Sequence, residues 1–142
     1  PGDYNGDGIA DYALYHNSMG YWYILANSGA SITWGTSWGA QGYTPVSGDY
    51  DGDGKSDLAV YNESAGVWYI WSMGRGRAII SGVQYGGPGK TPVPGDYNGD
   101  RKAELALYEQ STGYWYIRTV DGTHEGVYDF GHPSFVPVKP SW

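Results

Sequence analysis

Cysteine is absent from the 142 residues, so no disulfide supports the fold, and cysteine usage leaves the compartment open. No apolar run is long enough to cross a bilayer as a helix. No segment carries a useful apolar stripe at 3.6-residue spacing, and 24 glycines weigh further against helices. Basic residues are few, 8 against 15 acidic ones, and they form no stripe of the kind that binds nucleic acid. His16, His124 and His132 share no repeat position and sit in no nucleophile–base pattern, so no enzymatic activity is expected.

What the chain does have is glycine, 15 tyrosines and 7 tryptophans, a composition of short aromatic strands joined by tight turns. It also repeats itself. Gly2-Asp3-Tyr4-Asn5-Gly6-Asp7-Gly8 returns as Gly48-Asp49-Tyr50-Asp51-Gly52-Asp53-Gly54 and as Gly95-Asp96-Tyr97-Asn98-Gly99-Asp100-Arg101, with steps of 46 and 47 residues between first aspartates. The units run 1–46, 47–93 and 94–138 within one repeat domain, 1–142, and 139–142 read as the degenerate start of a further unit, with Ser141 and Trp142 at the Asp and Tyr positions.

Each acidic loop leads into an apolar strand (Tyr12-Ala13-Leu14-Tyr15, Leu58-Ala59-Val60-Tyr61, Leu105-Ala106-Leu107-Tyr108). A turn ending at Gly20, Gly66 or Gly113 follows, then an aromatic strand beginning at Tyr21, Val67 or Tyr114. Period-two alternation puts Trp22, Trp68 and Trp115 on a core face. A less regular third strand ends in aromatic-glycine: Trp38-Gly39, Tyr85-Gly86, Phe130-Gly131. A short proline-bearing strand closes each unit: Thr44-Pro45-Val46, Thr91-Pro92-Val93, Val136-Pro137-Val138. The expectation is an all-β fold of three tandem four-stranded β-propeller blades of about 46 residues, the ring completed by a second chain or a longer parent. A β-trefoil is the alternative, since three units of four strands also suit it.

Alternating oxygen-bearing side chains with glycines between them describe a loop that curls around a hard cation. In the second loop Asp49, Asp51, Asp53 and Asp57 take positions 1, 3, 5 and 9, and the Lys55 carbonyl takes position 7. The first loop offers Asp3, Asn5, Asp7, the Ile9 carbonyl and Asp11; the third offers Asp96, Asn98, Asp100, the Lys102 carbonyl and Glu104. An EF-hand would need a bidentate glutamate at position 12, where this chain has Leu14, Val60 and Leu107. The sites therefore read as strand–loop–strand calcium sites, up to three Ca²⁺ in all. Arg101 stands where the other loops have glycine, so the third loop is expected to bind most weakly. Ten of the 15 carboxylates lie in these loops, so the net charge of −7 is ligand charge rather than an acidic surface. Calcium near millimolar is an extracellular condition, which makes secretion the expected localisation.

These residues resemble the FG-GAP and VCBS repeats, the calcium-loop blades of integrin α-subunit propellers and of many secreted bacterial proteins. The resemblance rests on Tyr85-Gly86, on the stretch from Gly95 through Asp100, and on Asp57-Leu58-Ala59-Val60. Tyr15, Tyr61 and Tyr108 replace a glycine of the integrin pattern, which points to the bacterial branch. The resemblance implies a propeller blade with calcium in a hairpin loop, and no particular ligand.

Positions that differ between units are the candidates for ligand contact: Trp34, Trp71, Arg75, Arg77 and Arg118. The expected role is non-enzymatic recognition or adhesion, with a glycan or another cell-surface or matrix ligand as partner. The second reading is a structural scaffold in which incomplete rings self-associate through the proline-bearing end strand, with no soluble ligand.

Overall fold

The computed structural model describes residues 1–139. The expectation for Ser141 and Trp142 lies outside them. The described chain is all-β, with eleven strands in three antiparallel sheets and no helix among the described residues. The first sheet holds β1 (Tyr12–His16), β2 (Tyr21–Leu25) and β3 (Ser31–Ser37). The second holds β4 (Thr44–Pro45), β5 (Leu58–Asn62), β6 (Val67–Ser72) and β7 (Arg77–Gln84). The third holds β8 (Lys90–Pro92), β9 (Leu105–Glu109), β10 (Tyr114–Arg118) and β11 (Glu125–Asp129). No strand pairs between sheets among the described residues, so the trefoil alternative, whose units share a barrel, does not apply.

Four strands per sheet hold for the second and third sheets only. The proline-bearing strand of one sequence unit pairs with the next unit: Pro45 lies opposite Val60 and Pro92 opposite Leu107. Proline is tolerated there because it occupies an edge strand, and the amides of Val46 and Val93 still reach the Ala59 and Ala106 carbonyls, both at 2.8 Å. The first sheet has no such strand. Residues 136–138 form no strand either, because the place beside β9 is already filled by β8.

One repeated lock explains most of the residues that recur in every unit. The indoles of Trp22, Trp68 and Trp115 donate to the carbonyls of Trp38, Tyr85 and Phe130 at 2.7–2.8 Å. The hydroxyls of Tyr15, Tyr61 and Tyr108 donate to Ala40, Gly87 and His132. Glycine is required after each of those aromatic residues, since the tyrosine hydroxyl occupies the space a side chain would need. Trp22 and Trp68 are buried as expected, whereas Trp115 is half-buried because no further sheet covers the third.

The sheets stack face to face. Leu58 and Val60 join Trp22 and Ile24 in one core; Ala59, Tyr61, Trp68 and Ile70 join Leu105 and Leu107 in the other. The middle sheet is thus buried on both faces, and its β5 reads Leu-Ala-Val-Tyr without a polar alternation. At Gly86 (φ 128°) an added methyl would strike the Tyr61 hydroxyl and lie 2.7 Å from Leu107 Cδ1. Gly86→Ala is expected to destabilise the protein by about 3 kcal/mol in chemical denaturation. Gly76→Ala (φ 62°, open surroundings) is expected to cost only about 1 kcal/mol.

Candidate metal centre

Each acidic loop is organised first by its position-1 aspartate, whose carboxylate gathers backbone amides. Asp3 accepts from Gly6, Asp7 and Gly8; Asp49 from Gly52, Asp53 and Gly54; Asp96 from Gly99 and Arg101. The position-5 carboxylate then fixes the residue whose carbonyl was assigned to position 7: Ile9 donates to Asp7, Lys55 to Asp53 and Lys102 to Asp100, at 2.8–2.9 Å. Position 3 assists, with Asn5 and Asn98 accepting from the amides of Asp7 and Asp100 and Asp51 from that of Asp53.

The position-9 carboxylate closes the loop. Asp11, Asp57 and Glu104 accept from the amides of Tyr4, Tyr50 and Tyr97 at 2.7–2.9 Å, beside the bridges Gly2 to Asp11, Gly48 to Asp57 and Gly95 to Glu104. All three are buried. Placement immediately before an incoming strand, in a bridge to the loop's first glycine, is what puts a charged group under the sheet.

Two loops bring three carboxylates together. Oxygens of Asp49, Asp51 and Asp57 lie within 4.8 Å of one another, and so do those of Asp96, Asp100 and Glu104. The first loop gathers no such trio: its Asn5 amide donates to Asp7 and Asp11. The geometry therefore separates the loops differently from their glycine content. Glu104, one methylene longer than Asp11, reaches far enough into the third loop to complete its cluster. Arg101 nonetheless stands at φ 70°, the one non-glycine residue with positive φ among the described residues.

The clusters carry uncompensated like charge. Burial, helped by the charges of Asp51 and Asp49, pushes the Asp57 carboxyl up to about 7, against the lowering effect of the Tyr50 and Met73 amides. Glu104 is raised for the same reasons, burial first and then Asp100 and Asp96. A hard divalent ion fits this donor set, which is all oxygen, anionic and preformed by backbone hydrogen bonds. Bound there, it would neutralise the carboxylates and cross-link strand to loop.

The five positions singled out for ligand contact do not converge on one surface. Arg75 pairs with Asp51 at 3.0 Å, and the Ser72 hydroxyl donates to the same oxygen at 2.7 Å. Arg75 thus serves the second loop rather than a free ligand. The contact was illegible because it depends on how the β6–β7 turn folds over residues 21 and more positions earlier. Trp71 is half-buried against Trp38, ring centroids 5.4 Å apart. Arg118 lies over the Tyr85 ring at 5.6 Å. Arg77 is exposed at the start of β7, and Trp34 is 67% exposed on β3.

In metal-free protein Asp57 has a folded pKa above its unfolded value near 4, so its protonated form favours folding. That contribution is complete below about pH 4 and is lost as pH rises through about 7, at about 1.4 kcal/mol per unit of pKa difference. Denaturation midpoints in chelator should therefore fall across this range, rise again on adding excess Ca²⁺ at pH 7, and depend less on pH in Asp57→Asn. Arg101→Gly removes both the left-handed strain and a cation beside the third loop. It should tighten metal binding there several-fold by calorimetric titration and stabilise the fold by about 1 kcal/mol.

Sequence comparison agrees with this geometry. The FG-GAP-like repeat family matches residues 3–60 and again 49–107, each match running from a position-1 aspartate through the next loop and into its strand. No curated protein and no solved structure matches the chain. Overlapping matches across most of the chain, on the loops and strands just described, make this protein a member of the FG-GAP-like repeat family.

Proposed function

We propose that the protein is an extracellular, calcium-stabilised repeat module for non-enzymatic recognition, with carbohydrate as its ligand class. The all-oxygen clusters at Asp49, Asp51 and Asp57 and at Asp96, Asp100 and Glu104 suit Ca²⁺, and the first loop supplies a third, looser set. Loops of this kind fill at extracellular calcium levels. Within the described residues no helix is long and apolar enough to cross a membrane. The ion's role in this reading is mechanical: it discharges each loop and holds a rigid surface.

The observation that carries the carbohydrate reading is Trp34. Its indole stands 67% exposed and is held edge-on to Tyr23, ring centroids 5.3 Å apart. An exposed, oriented indole can stack on the apolar face of a sugar ring. A glycan array in Ca²⁺ should give specific hits that chelator abolishes and that Trp34→Ala weakens at least ten-fold. Binding that ignores both, or no hits at all, sinks this reading.

A second reading, a self-assembling scaffold without a soluble ligand, is favoured by a separate observation. Large apolar residues are exposed at the two ends of the sheet stack: Tyr12 and Leu14 on the first sheet, Tyr128 and Phe130 on the third.

A further inference from the structure

Both junctions between consecutive sheets are built to one plan. Leu58 and Val60 meet Trp22 and Ile24; Leu105 and Leu107 meet Trp68 and Ile70. Trp38 closes the first junction over Tyr69 and Trp71, and Tyr85 closes the second beside Arg118. Each junction also carries a bond from loop to loop. The Ser56 amide donates to the Asp3 carbonyl and the Ala103 amide to the Asp49 carbonyl, both at 2.6 Å. Lys55 lies over Gly6, and Lys102 over Gly52.

One half of every one of these contacts remains unused at each end of the chain. Tyr12 and Leu14, the counterparts of Leu58 and Val60, are 65% and 72% exposed. Phe130, the counterpart of Trp38 and Tyr85, is 79% exposed. Beside it an apolar hollow at Tyr108, Trp115 and Gly131 occupies the position at which Leu107 fits Gly86 in the second junction. Ile9, the counterpart of Lys55, is 50% exposed, and nothing lies over Gly99, the counterpart of Gly6 and Gly52. Among the described residues nothing pairs with the outer edge of β1. Residues 136–138, the counterparts of the strand that fills this edge in the other sheets, are also unpaired, with Val138 91% exposed where Val46 and Val93 are buried.

We propose that the partner is a second copy of this chain, docked head to tail so that these halves meet. Leu14 of one copy enters the hollow at Tyr108, Trp115 and Gly131 of the other, and Phe130 covers Tyr23 and Leu25. Residues 136–138 add as a strand to β1 with Pro137 opposite Leu14, repeating the pairs of Pro45 with Val60 and Pro92 with Leu107. The Ala10 amide donates to the Asp96 carbonyl. Two such contacts close two chains into a ring of six sheets, within the range of known propellers. The inference rests on the scaffold reading and is independent of the carbohydrate reading. Ser81, the counterpart of Trp34, stays exposed inside a formed junction, so docking leaves Trp34 open.

The test uses the full chain in Ca²⁺. Light scattering should give twice the chain mass, and Leu14→Asp should give the single-chain mass with an unchanged circular dichroism spectrum, since Leu14 is exposed within one chain. The chain has no cysteine, so a Leu14→Cys, Pro137→Cys variant reports register cleanly. These positions form a pair without mutual hydrogen bonds, where strands approach closest, and oxidation should yield a covalent dimer. A control variant, Leu14→Cys with Val127→Cys, should not. A monomer across concentrations overturns the proposal, as does a dimer that survives Leu14→Asp or fails to cross-link. Mass that grows with concentration overturns ring closure. Glycan binding is read on the array with Trp34→Ala, and docking by mass and cross-link with Leu14→Asp and the cysteine pair, so the two readings fail separately.

Discussion

Burial of one sheet face against the next is the constraint on which the structure depends. A three- or four-stranded sheet of about forty residues cannot enclose a core alone. Here Trp and Ile of one sheet are covered by Leu and Val of its successor, and each sheet then offers its own Trp–Ile face onward. Order therefore propagates along the stack. The second sheet, covered on both sides, contains the most completely buried strands, while the outer faces of the first and third sheets keep large aromatic and aliphatic groups in solvent.

The acidic loops sit at the seams of this stack, and their design sets electrostatics against packing. Backbone amides gathered on Asp3, Asp49 and Asp96 would suffice to shape a turn. They do not account for a buried Asp57 or Glu104 held near other carboxylates, an arrangement that raises both pKa values and costs stability in the absence of a cation. A loop selected only for its turn would have no use for that expense. Arg75 relieves part of it at Asp51 through a direct ion pair in the second loop.

Much of the fold was legible because its signals are local. Alternation in Tyr21-Trp22-Tyr23-Ile24 places Trp22 and Ile24 inward, and the structure buries both. The glycine at Gly54 and the arginine at Arg101 announced a left-handed residue, and both adopt one. Illegible features involve partners far apart in sequence. Nothing in Thr44-Pro45 says that it pairs with the following unit, since a two-residue strand carries no pattern of its own. Arg75 and Arg118 looked available because their partners, Asp51 and Tyr85, lie on other strands or loops and are brought near only by sheet pairing and stacking. Of the loops, ligand identity was readable but convergence was not: the reach of Glu104 against that of Asp11 is a three-dimensional property.

The offset between sequence unit and sheet has a mechanical consequence. Because β4 and β8 are contributed from upstream of the loops, the chain crosses from one sheet to the next in the turn before the proline, and the acidic loop then joins two strands of the same sheet. A protease cutting between β3 and β4 would leave every sheet whole. A cut in the loop between β4 and β5 would sever a strand from its own sheet, so the segment most exposed by its glycines is also the one whose scission does most harm. A bound ion spanning that loop would act as a splint that keeps the edge strand tethered to its sheet.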